Sequence, residues 1–101
     1  MRKILAKELK SKIDNDENVI ILDVRDENAY REGHIKNAIS ISVSDISHEI
    51  EDIVQDKDTL VCAYCYSGAR SARAVMMLDY LEYTNVFDLG GITNWSYELE
   101  K

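Results

Sequence analysis

A chain of 101 residues has the size of one compact domain and is too short for two ordinary ones, so a single domain over residues 1–101 is expected. Its 46% apolar and 31% charged residues exclude a disordered polar chain, and no apolar run approaches the roughly 20 residues that cross a bilayer. The formal charge of -7, from 19 acidic and 12 basic side chains, repels nucleic acid and anionic lipid, so neither is expected as a partner.

In chain order, the Lys-rich start MRKILAKELKSKI lacks the apolar block of a secretory signal, which leads to an expected cytoplasmic location. Leu5, Leu9 and Ile13 mark one face of a first helix. Short apolar runs of strand length follow at Val19–Leu22, Ala38–Ile41, Thr59–Ala63 and Val86–Leu89. Between them Ile46, Ile50, Ile53 and Val54 repeat with helical spacing, as do Ala74, Met77, Leu78 and Leu81. There is no proline, internal repeat or linker-like tract. Strands alternating with helices, and apolar on both faces, predict an α/β domain of three layers with a mostly parallel central sheet flanked by helices.

In such sheets ligands collect at the carboxyl ends of the strands, where helix N-termini also point. The stretch LVCAYCYSGARS, Leu60 to Ser71, has this form: a strand ending near Tyr64, a loop containing Gly68, and a helix starting near Arg70 or Ser71. Cys65 then falls on the first residue after the strand, facing the inward-turned N–H groups of a loop that makes an anion nest. No Asp or Glu occurs from Thr59 to Leu78, while Arg70 and Arg73 do. Those charges and the helix N-terminus predict a Cys65 pKa below the ordinary value of about 8.5.

Several motifs, in order, carry a resemblance. Leu22-Asp23-Val24-Arg25, then Tyr30-Arg31-Glu32-Gly33-His34-Ile35 with Ala38, the loop Cys65 to Arg70, and Asn85-Val86 through Leu89-Gly90-Gly91 to Trp95 together resemble the rhodanese-like domain over nearly the whole chain. The resemblance implies sulfur transfer. Cys65 would be the nucleophile that takes a sulfane sulfur as a persulfide, and the N–H groups of Tyr66, Ser67, Gly68, Ala69 and Arg70 would bind the anionic sulfur. Asp23, Arg25 and Arg73 would support the site. The implied partners are a small sulfur-containing anion such as thiosulfate, or a persulfide, as donor, and a thiol or cyanide as acceptor. A protein could fill either role. Phosphatases of related fold place one more residue between cysteine and arginine, so the four residues here favour a sulfur-sized ligand.

Two features depart from the family's pattern. Tyr66 follows the nucleophile where many relatives have a basic residue, and Lys36-Asn37 replaces a frequent proline and glycine.

Simpler roles account for the remaining chemistry-bearing residues. Cys62 and Cys65 form a C-x-x-C, but three residues of extended strand advance about 10 Å, beyond disulfide reach. Cys62 is therefore read as a buried structural residue. His34 is assigned to a turn, His48 to a helix surface and Trp95 to packing. Asp23 and Arg25 are read first as a structural ion pair. No second ligand pair has zinc spacing, so neither a metal nor a cofactor is expected. The rival functions are a small phosphatase or arsenate reductase, and a non-catalytic binding or regulatory module using the same cleft.

Overall fold

The computed structural model describes all residues, 1–101. Four strands, β1 (Val19–Asp23), β2 (Ile39–Ser40), β3 (Leu60–Cys65) and β4 (Val86–Gly91), pair in the order β2-β1-β3-β4. All three pairings are parallel. The connections carry α1 (Ala6–Asp14) before β1, α2 (Glu27–Glu32) after it, α3 (Ile46–Ile53) before β3 and α4 (Ala69–Tyr80) after it. Single turns of 3-10 helix occupy Val43–Asp45 and Ile92–Asn94.

Alternate residues of each inner strand serve opposite faces, as the pleat requires. Leu22, Val61, Ala63 and Cys65 pack on one face with Ile46 and Ile50 of α3 and Ala74, Val75 and Leu78 of α4. Ile21, Cys62 and Tyr64 pack on the other with Leu9 and Ile13 of α1, Ile35 and Trp95. Both sheet faces are thus covered, which gives the three-layer α/β architecture.

The elements differ from expectation at identifiable places. β2 keeps only two residues of Ala38–Ile41 because it is an edge strand, paired solely through Leu22 to Ile39 and Asp23 to Ser40. β3 runs on to Cys65, so the cysteine is the last residue of the strand instead of the first after it. α4 begins at Ala69, slightly earlier than expected. Leu5 is not on the buried face of α1: it precedes the helix in an extended conformation and is 59% exposed. Ile4 takes the buried place, its N–H donating to the Asp88 carbonyl at 3.1 Å beside β4. α2 was not expected at all, and it has no buried residue that would have left an apolar period.

Candidate active site

Tyr64 and Cys65 end β3 pointing to opposite faces, and each organises a different set of contacts. On the Tyr64 side, the phenol donates to Asp23 Oδ2 at 2.7 Å and accepts from the Ile35 N–H at 3.1 Å. Asp23 is fully buried, and Arg25 meets it through Nε and Nη2, the latter at 2.7 Å. Arg25 Nη2 also donates to the Gly33 carbonyl at 2.6 Å. The hydrogen bond to Asp23 holds the Arg25 guanidinium above its ordinary pKa despite burial. Burial, with the bond to Asp23, keeps the Tyr64 phenol neutral well above its ordinary range. This network ties β1, β3 and the chain before β2 together beneath the loop.

His34 holds the adjoining turn, its Nδ1 2.8 Å from the Tyr30 carbonyl and its ring stacked on Tyr30 at 3.8 Å. His48 is exposed on α3, while Trp95 is buried with its indole N–H donating to the Glu98 carbonyl.

On the Cys65 side the chain turns through Tyr66, Ser67 and Gly68 into α4. Gly68 adopts φ 104° and ψ -16°, a left-handed conformation that a side chain would strain. That turn brings the Gly68 N–H to 3.0 Å from Cys65 Sγ and the Ser71 N–H to 3.3 Å. Burial alone would raise the Cys65 pKa, but hydrogen bonds from the Ser71 N–H and hydroxyl and from the Gly68 and Arg70 N–H groups outweigh it and lower the pKa. The thiolate is therefore favoured by backbone amides at a helix start.

The two arginines of the cationic stretch border the site without touching the sulfur through their side chains. Arg70 directs its guanidinium to Asp26, with Nη1 3.3 Å from Oδ1, and Arg73 is exposed one turn further along α4. Neither guanidinium makes a hydrogen bond to the sulfur. Tyr66, Ser67, Ala69 and Arg70 line a cavity of about 380 Å³ over Cys65, together with Arg25, Asp26 and Ala29. A larger cavity of about 520 Å³ adjoins it, sharing Arg25, Asp26 and Arg70 and adding Arg73.

Cys62 stands on the opposite face of β3, fully buried and unpaired, its thiol pushed by burial up to about 12. The sheet therefore separates the two sulfurs. No group of three or more His, Cys, Asp or Glu side chains gathers so as to hold a metal ion.

Three residues outside the sequence-derived set contribute to this geometry. Ser71 is fully buried although polar, and its hydroxyl proton can reach the Gly68 carbonyl at 3.0 Å or the Gly90 carbonyl at 3.5 Å. Its signal was a polar residue on the apolar stripe of Ala74, Val75 and Leu78. Gly91 backs the loop: a Cβ there would lie 2.5 Å from the Tyr66 carbonyl oxygen. A glycine pair ending a strand signals such a close approach. Asp26 had no signal beyond its charge, since its contact spans 44 residues.

A four-stranded parallel sheet flanked by helices, with a cysteine at a central strand's carboxyl end facing helix-start amides, defines an α/β protein whose loop favours a thiolate at that position. The chain matches the Rhodanese-like domain over residues 5–98 and belongs to that family. It is 33% identical over 98 residues, 97% of this chain and 93% of the other, to YtwF of Bacillus subtilis, whose name places it provisionally among the sulfurtransferases. It is 35% identical over 79 residues to the thiosulfate sulfurtransferase GlpE of Coxiella burnetii, covering 77% of this chain and 72% of that one. The crystal structure of a rhodanese-related protein from Thermoplasma volcanium superposes with a TM-score of 0.82 at 32% identity, covering 99% and 98% of the two chains.

Proposed function

We propose that the protein is a sulfurtransferase that carries a sulfane sulfur on Cys65. The supporting observation is the position of Sγ at the focus of the Gly68 and Ser71 amides, at 3.0 and 3.3 Å, on a residue that lines a cavity. In the first half-reaction the thiolate attacks the outer sulfur of a donor. With thiosulfate, the donor S–S bond breaks, a new S–S bond forms on Cys65, and sulfite leaves with the bonding pair. In the second, a thiophilic acceptor takes the outer sulfur and the electron pair returns to Cys65. With cyanide the product is thiocyanate.

Amides that favour the thiolate also suit the anionic persulfide that follows it, so the same donors serve both halves of the cycle. Tyr66, Ser67 and Ala69 border the space where the outer sulfur and the leaving group would sit. The Asp23, Arg25 and Tyr64 network has its groups bonded to one another, which suits a positioning role for the loop. A thiol or a protein acceptor would serve in place of cyanide, and a persulfide in place of thiosulfate.

The test is intact-protein mass spectrometry after incubation with thiosulfate under nitrogen, followed by cyanide, beside a Cys65→Ser variant. The expected result is a gain of one sulfur that requires Cys65 and reverses with release of thiocyanate. The cyanide step separates a persulfide from two added oxygens of nearly equal mass. Absence of any gain on a reduced, accessible thiol, with thiosulfate and with a small-molecule persulfide alike, would overturn the proposal and favour a docking module.

A further inference from the structure

The ionisable groups around the Cys65 cavity are nearly all paired. Arg25 is committed to both oxygens of Asp23 and to the Gly33 carbonyl, and its side chain is only 9% exposed. Arg70, at 53%, is the accessible cation of that cavity, and it is held by Asp26, itself 81% exposed. Tyr66 adds no charge. The pair Arg70–Asp26 stands where the two cavities share a wall. Beyond it the larger cavity adds Glu27, Asp45 and Glu49 against the single further cation Arg73. An anion that approaches the thiolate therefore meets a cation already occupied by a carboxylate, with further carboxylates alongside.

We propose that Asp26 is a specificity-determining residue, which holds Arg70 away from an incoming donor and biases the site against dianions toward donors of smaller negative charge. The proposal rests on the sulfur-transfer reading and names the donor class that the site disfavours. For thiosulfate, two negative charges compete with Asp26 for one guanidinium. For a thiosulfonate, which has a single charge, or a zwitterionic persulfide, the penalty is smaller. The chemistry is otherwise matched: in a thiosulfonate the same S–S bond breaks, and a sulfinate leaves in place of sulfite.

The experiment compares steady-state transfer to cyanide from thiosulfate and from methanethiosulfonate in the wild type, Asp26→Asn, Arg70→Ala and the double variant. Freeing Arg70 from an exposed pair is expected to lower the thiosulfate KM of Asp26→Asn by about three- to fivefold. Methanethiosulfonate should gain less. The gain should vanish in the Arg70→Ala background and shrink as salt screens the charges. An unchanged or raised thiosulfate KM, equal gains for both donors, or a gain that survives the loss of Arg70 would overturn the assignment.

A second readout needs no turnover: protection of Cys65 by sulfate against alkylation by the neutral reagent iodoacetamide. Asp26→Asn should need less sulfate for the same protection. If the wild type transfers sulfur from neither donor, the sulfur-transfer reading fails, and the sulfate protection alone decides whether Asp26 controls dianion entry.

Discussion

Ser71 occupies the first turn of α4 with no exposed surface, and its hydroxyl has one proton for two acceptors, the Gly68 carbonyl at 3.0 Å and the Gly90 carbonyl at 3.5 Å, while its side chain also helps to lower the Cys65 pKa. Its N–H, 3.3 Å from Sγ, survives any substitution that keeps the backbone in place. Ser71→Ala therefore separates the side chain's contribution from that of the amide. With the hydroxyl gone, the thiolate loses one of the neighbouring polar groups that oppose burial, so the Cys65 pKa should rise. The pH midpoint for alkylation should move upward, and the rate at neutral pH should fall by about two- to tenfold. A midpoint that stays in place while the fold is intact would show that the amides alone set the thiolate. The residue was overlooked in the sequence because serine at a helix start is commonly an exposed cap, whereas here it faces inward and is not the cap. Gly68 was easier to find, since a glycine between a strand and a helix has few other uses.

At the scale of elements, β3 and β4 lose register between Ala63 and Tyr64: Ala63 lies opposite Asp88, while Tyr64 lies opposite Gly90. Leu89 is the extra residue of this bulge, which places Gly90 and Gly91 beside the loop of Tyr66, Ser67 and Gly68. A Cβ on Gly91 would come within 2.5 Å of the Tyr66 carbonyl oxygen and 3.3 Å of the Ser67 Cα, both backbone atoms that cannot swing aside. Gly91→Ala is accordingly expected to destabilise the fold by about 1–3 kcal/mol, as overpacking does, and to displace the loop enough to lower Cys65 reactivity. Urea unfolding and the alkylation rate check the two effects separately. Wild-type values in both would show that the loop and β4 have slack. The strand, loop and helix that carry Cys65 were legible because apolar runs and a loop glycine are local signals. The bulge was not, because register between strands 20 or more residues apart leaves no mark in either one. α2 was missed for a different reason: a short helix with an exposed face has no apolar period to display.

For the molecule as a whole, the parallel sheet was readable because runs such as Val19–Leu22, which is rich in β-branched residues, and Leu60–Ala63 are short and apolar at successive positions, as strands of a sheet covered on both faces are. That same arrangement sets the two cysteines against each other in the pH dependence of stability. Cys65 has a lowered folded pKa, because amide hydrogen bonds overcome burial. It adds stability as pH rises from that folded value toward the unfolded value of about 8.5, above which the contribution is complete. Cys62 has a folded pKa raised by burial to about 12. Its contribution is complete below the unfolded value and is lost between about 8.5 and 12, because the unfolded chain releases a proton that the native chain retains. Tyr64 and Tyr83, both raised by burial, extend the loss to higher pH. Urea midpoints measured from pH 6 to 11 should therefore show a shallower alkaline decline for Cys62→Ala than for the wild type, whatever the packing loss does to the overall level. Cys65→Ser should instead flatten the approach to pH 8.5 and leave the alkaline limb unchanged. If Cys62→Ala declines as steeply as the wild type, its thiol is not the buried proton that distinguishes native from unfolded chains in that range, and the tyrosines carry the alkaline transition.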